Sequence, residues 1–115
     1  MIKKRKLANN KYSVTFSMPA LDSIAGLYLV GEFNNWNESA MPMEQEADGS
    51  WSIKLTLEAE REYQYRYLDD QGVWHNDWSA DAYARNSLGS ENSVVSLVNG
   101  TTPAKRAAAR RKKLL

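Results

Sequence analysis

The stretch "SWSIKLTLEAEREYQYRYLDD", Ser50 to Asp70, decides the fold. In its first half Trp51, Ile53, Leu55 and Leu57 fall on one side, and Ser52, Lys54 and Thr56 on the other. Its second half repeats the pattern, with Tyr63, Tyr65 and Tyr67 opposed to Gln64, Arg66 and Leu68. A period of two belongs to a β-strand, because successive side chains leave a pleated backbone in opposite directions. "DGS" before the first strand and "DDQG" after the second are turn signals.

Working outward, "YSVTFSM" places Tyr12, Val14, Phe16 and Met18 on one face until Pro19 stops it. "LYLVGEF", Leu27 to Phe33, is a short apolar run of the kind expected from a strand buried on both sides. A short "VWH" follows the second turn, and "SVVSLV" closes the body as a last strand. Short strands joined by turns, with no helical period between them, predict one all-β domain, an antiparallel sandwich of Greek-key type. We place it at residues 11–99, between a basic arm at 1–10 and a basic tail at 100–115. Helix is predicted only beyond Pro103, in "AKRAAARRKKLL", where Ala, Arg and Lys are strong helix formers.

Composition bounds the chemistry. The chain has 115 residues and no cysteine, so disulfides, thiolate metal sites and cysteine nucleophiles are excluded. No apolar run approaches the roughly 18 residues of a membrane span. "MIKKRK" is basic, but no apolar segment follows it, so no secretion signal is read and a cytoplasmic location is expected. The net charge of +1 hides a segregation. Residues 12–102 hold all 14 acids against four basic residues, Lys54, Arg61, Arg66 and Arg85, a net of −10. A body of that sign is a poor phosphate-neutralising surface, which argues against nucleic acid as its partner. The basic ends read most simply as solvated, with docking to a polyanion, an anionic membrane or an acidic partner as the sharper alternative.

Catalysis finds little support. His75 is the single histidine, and no GxSxG, Walker or HExxH pattern occurs. Nothing in the spacing of the acids selects a pair for glycoside hydrolysis, and Asp69-Asp70 suit the turn they occupy. A non-catalytic protein without cofactor or metal is expected.

The tryptophans are more informative. Trp51 lies on the apolar side of its strand, whereas Trp36, Trp74 and Trp78 lie in or beside polar loops, "FNNWN" and "VWHNDWS". A loop tryptophan commonly covers the end of a core. Trp78 is expected to do so, packing under Tyr83. In the first loop Phe33 is placed to plug the core and the asparagines to form the turn. Aromatic rings set among Asn, Arg and Gln also suit a sugar, whose C–H face stacks on an indole while its hydroxyls need fixed donors and acceptors.

With "LYLVGEFNNWN", "GSWSIKLTL", "EYQYRYLDDQGVWHND" and "NSLGSENSVVSL" on one chain, residues 12–98 resemble the glycogen-binding, isoamylase N-terminal early-set domain, carbohydrate-binding module family 48. Its members occur in glycogen branching and debranching enzymes and in the β subunit of AMP-activated protein kinase. The resemblance implies an immunoglobulin-like sandwich that binds α-1,4-linked glucan. It puts the two stacking tryptophans at Trp36 and Trp74, and a basic residue bonding sugar hydroxyls at Arg66. It puts a leucine against a sugar ring at Leu88 and a hydroxyl-binding asparagine at Asn92. Arg66 stands where kinase-type members have lysine, and the turn "DDQGV" is one residue longer than theirs, which bears on whether Trp74 still faces Trp36. The partner implied is an α-glucan polysaccharide or oligosaccharide, with no catalytic domain attached. The alternative is a protein-interaction module that holds a glycogen-metabolising enzyme or a kinase-like subunit.

Overall fold

The computed structural model describes residues 1–98, so the predicted helix in the tail lies outside the described residues. Among the described residues nine strands form: β1 (Ile2–Leu7), β2 (Lys11–Met18), β3 (Leu27–Gly31), β4 (Glu44–Gln45), β5 (Trp51–Glu58), β6 (Glu62–Asp69), β7 (Trp74–His75), β8 (Ala82–Arg85) and β9 (Glu91–Ser96). They make two antiparallel sheets. The first runs β1-β2-β5-β4, and the second runs β3-β6-β9-β8, with β7 also paired to β6. Strand β6 carries β3 along one side, at residues 65–69. Its other side pairs with β9 at residues 62–65 and with β7 at Tyr67 and Leu68. This is the immunoglobulin-like, early-set sandwich.

The alternation in the opening stretch produces the core directly. Tyr63, Tyr65 and Tyr67 of β6 point between the sheets and are buried, as are Val14, Phe16 and Met18 of β2 and Trp51 and Leu57 of β5. Rings meet rings there. Phe16 lies 5.0 Å from Tyr65, centroid to centroid and edge-on, and Tyr65 lies 5.8 Å from Tyr67. Each such burial contributes about 1.5–3 kcal/mol, and an aromatic pair of this geometry about 0.5–1.5 kcal/mol more.

Two tyrosines deep in a core need partners for their hydroxyls. Asp77 supplies one acceptor for both: its Oδ2 accepts from Tyr65 Oη (2.8 Å) and Tyr67 Oη (3.1 Å). The carboxylate also accepts from Ser79 N (2.9 Å) and pairs with the Met1 ammonium. Burial, followed by mutual repulsion and the nearby carboxylates, holds the Tyr65 phenol far above its ordinary range, and burial likewise raises Tyr67. Both stay protonated, as donors must.

The described structure departs from the sequence expectations at its edges. Residues 2–7, assigned to a basic arm, form the edge strand β1, paired with β2 from Ile2↔Phe16 to Leu7↔Lys11. Lys4 Nζ reaches Ser96 O (2.9 Å) and Asp81 Oδ2 (2.6 Å), tying β1 to the other sheet. The folded body therefore includes nine basic residues among 1–98 against the 14 acids, a net of −5 rather than −10. Charge on an outer strand also opposes edge-to-edge association. Strand β3 is buried on both faces as its apolar run predicts, with Leu27, Leu29 and Val30 buried, although it is the outer strand of its sheet. Its free edge is covered by the segment Met41–Met43, through Leu29 N to Met41 O (3.0 Å) and Met43 N to Leu27 O (2.8 Å).

Candidate functional site

Three turns converge on the outer face of the second sheet, and each is built by local hydrogen bonding. The first follows β3. Gly31 allows close approach to β6, since a Cβ there would lie 2.6 Å from Gln64 O and 2.8 Å from Tyr65 Cβ. The chain then forms one turn of 3-10 helix (Glu32–Asn34). Asn34 folds back on the strand it leaves, accepting from Gly31 N (3.1 Å) and donating to Leu29 O (3.0 Å). Phe33 packs on Phe16 and Tyr63, at 5.6 and 6.1 Å between centroids, and fills the role of plug. Asn35 and Trp36 are both left-handed, with φ of 55° and 58°. Asparagine tolerates that region, whereas a bulky residue is held there at roughly 1–3 kcal/mol of strain. Trp36 N donates to Gly31 O (2.9 Å), which fixes the conformation, and its side chain remains 37% exposed.

The second turn joins β6 to β7 and presents Trp74. Asp69 organises it, its Oδ1 accepting from Gln71 N (2.8 Å) and Val73 N (3.0 Å) and its Oδ2 meeting His75 Nε2 at 2.9 Å. The His75 contact first, then the Val73 amide, hold the Asp69 carboxyl below the usual carboxylate range. His75, in β7 opposite Tyr67, thus serves as a hydrogen-bonding partner that braces the turn. Gly72, at φ 80°, closes the turn. Trp74 stands opposite Leu68 in register, 36% exposed, and Arg66 Cζ lies 5.7 Å from the centre of its ring.

The third turn joins β8 to β9. Asn86 Oδ1 accepts from Leu88 N (3.0 Å) and Ser90 N (3.1 Å), and Gly89 takes φ 83°. The result holds Leu88 out in solvent, 90% exposed. Asn92, in β9 just beyond the turn, is 7% exposed, its amide held between Asn86 Nδ2 (3.1 Å) and Gln64 Oε1 (2.9 Å).

Trp36, Arg66, Trp74, Leu88 and Asn92, separated by up to 56 positions along the chain, line one open groove of about 400 Å³. The longer turn before Trp74 therefore leaves both tryptophans in the same groove. Asn86 and Ser87 complete the lining. Sequence reasoning did not single out Asn86, although an asparagine three residues before a glycine in "NSLG" is a turn signal. Trp78 departs from expectation: it is 70% exposed, outside the groove, and does not pack under Tyr83. The loop inserts Asp77 instead, and Tyr83 Oη donates to Asp77 O (2.6 Å), bracing the loop through its backbone.

The arrangement suits non-covalent recognition. Flat rings, an aliphatic side chain and a floor of amides and a guanidinium offer stacking and hydrogen bonds. Among the described residues no group of His, Cys, Asp or Glu could hold a metal ion, and no helix is long and apolar enough to cross a membrane.

Comparison with known proteins bears on the fold and the family. Solved structures with the same fold include a crystal structure of enterochelin esterase from Shigella flexneri, at TM-score 0.68 and 12% identity over 84% of this chain. A second is the enterobactin esterase FES from Shigella flexneri in the presence of enterobactin, at TM-score 0.72 and 12% identity over 87% of this chain. The chain spans 32% and 34% of those two proteins, and identity this low shows the fold alone. Among curated proteins no sequence matches. Residues 9–84 match the sequence model of carbohydrate-binding module 48 (isoamylase N-terminal domain), a family of non-catalytic carbohydrate-binding modules, and the chain belongs to that family.

Proposed function

We propose that the groove binds α-1,4-linked glucan, of the glycogen or starch type, without catalysis. Trp36 and Trp74 stack on glucose rings of one chain, Arg66 and Asn92 bond hydroxyls at the ring edges, and Leu88 makes lateral contact. The observation that carries this is the convergence of three exposed apolar side chains around a polar floor in one open groove. The left-handed backbone of Trp36, closed by its N–H to Gly31 O, sets its ring in the lining of the groove. An open site of this size gives modest affinity for short oligosaccharides and gains through contacts repeated along a polymer. Affinity electrophoresis in glycogen tests the proposal. Wild type is expected to be retarded, and an unretarded wild type would sink it.

One observation favours a second reading, a protein-interaction module for a glycogen-metabolising enzyme or a kinase-like partner. Trp78 is exposed away from the groove, as an interface anchor would be. Capture of such a partner by the Trp36→Ala/Trp74→Ala protein, and its loss in Trp78→Ala, would support this reading over the first.

A further inference from the structure

The polarity of the groove floor follows from a chain of three amides. Asn86 Oδ1 lies 3.0 Å from Leu88 N and 3.1 Å from Ser90 N. A backbone N–H only donates, so that atom is necessarily the carbonyl oxygen. Asn86 Nδ2 is then the donor to Asn92 Oδ1, 3.1 Å away. Asn92 Nδ2 in turn donates to Gln64 Oε1 at 2.9 Å. Gln64 is left with its Nε2 at the end of the chain. Asn86 Oδ1 is thereby filled twice, Asn92 Oδ1 and Gln64 Oε1 once each, and the second N–H groups of the groove-lining Asn86 and Asn92 are left over.

Arg66 extends the same pattern. Its Nε is buried with no hydrogen-bond partner, and among the described residues its guanidinium makes no salt bridge. Its one contact of note is the loose approach to the Trp74 ring, at 5.7 Å. No Asp or Glu lines the groove. The carboxylate of Glu32 accepts from Gln64 N at 2.7 Å. A half-buried guanidinium without a carboxylate has lost water and gained little in exchange.

From this we infer that the groove takes a glucan carrying an anionic group, a phosphate monoester, with the phosphate seated on Arg66. This rests on the glucan reading of the same groove. A sugar hydroxyl can accept from the guanidinium but brings no charge to balance it. Phosphate oxygens only accept, and the planar guanidinium fork matches them with two parallel bonds. The stacking rings provide affinity for the chain, and Arg66 selects its modified segment.

Calorimetric titration with a maltooligosaccharide, the same oligosaccharide bearing one phosphate monoester, and inorganic phosphate tests the inference. The phosphorylated chain is expected to bind about tenfold more tightly than the neutral one, as charge-assisted bonding to a single guanidinium allows, with the gap narrowing as salt rises. Arg66→Gln should erase the gap, and Arg66→Lys should restore part of it, both variants being checked for the wild-type near-UV circular dichroism. Equal affinity for the two chains, or a gap that survives Arg66→Gln, overturns the inference and leaves the glucan reading intact. Inorganic phosphate competing as well as the phosphorylated chain overturns it also, because the site would then be one for the ion alone. Failure of both oligosaccharides to bind removes the glucan reading beneath it.

Discussion

Trp36 and Gly31 show how single residues set the site. Trp36 sits at φ 58°, where a side chain with a Cβ is disfavoured by about 1–2 kcal/mol. Trp36→Gly and Trp36→Ala both remove the ring, but only alanine retains the clash. Glycine is therefore expected to give the more stable protein by about 1 kcal/mol in urea unfolding, with both variants losing glucan retardation equally. Identical stabilities would mean that the loop relaxes out of the left-handed region. Gly31 acts through space instead, because its neighbours at 2.6 and 2.8 Å belong to β6 backbone and the base of Tyr65. Gly31→Ala should lower stability by about 1–3 kcal/mol, the usual range for forcing an extra methyl into a packed site, read as a lower urea midpoint at unchanged slope.

At the scale of elements, each turn has one polar residue that shapes it and one apolar residue that it displays. Asp69 shapes the β6–β7 turn beneath Trp74, and its pH dependence has a definite sign. A carboxyl whose folded value is depressed contributes stability above its unfolded value, near 3.9. That contribution is lost as pH falls through the lower folded value. Acid unfolding below about pH 4 should thus be less steep in Asp69→Asn, which cannot gain the proton, than in wild type. Parallel acid limbs for the two proteins would contradict this assignment. In the β8–β9 turn, Asn86→Ala strips the acceptor from Leu88 N and Ser90 N and releases Asn92 Oδ1. A loss of about 1 kcal/mol is expected, with weaker glucan binding although both tryptophans remain.

These elements also show what a sequence can and cannot reveal. β5 and β6 were legible because one face is apolar and the other polar, the condition under which a period of two appears. β1 was not, because "IKKRK" lies at an edge where Lys4 uses its length to reach Ser96 and Asp81 rather than to stay in water. β8, four residues with two alanines, carries too little apolar contrast to stand out. The site residues were found through loop motifs and a family resemblance. Their meeting in one groove is a product of tertiary structure, since it depends on β6 having β3, β9 and β7 as neighbours. At Trp78 the local pattern is silent, because it does not say whether Trp78 or Asp77 turns inward, and Asp77 does.

For the whole molecule, the two faces differ in kind. The second sheet carries the groove, while the first carries Lys3 and Arg5 on its outer strand beside Ser13 and Thr15. Because β1 is integral, removing residues 2–7 should destabilise the protein rather than trim a passive arm. The expected result is a clearly lower melting temperature and aggregation through the newly exposed edge of β2. An unchanged melting temperature would return these residues to the status of an arm. The recognition of glucan by two distant loops is tested most directly by affinity electrophoresis of wild type and a folded Trp36→Ala/Trp74→Ala variant, with and without glycogen in the gel. Wild type should be retarded by glycogen and the double variant should migrate as if glycogen were absent. Equal retardation of the two would contradict the assignment of the groove.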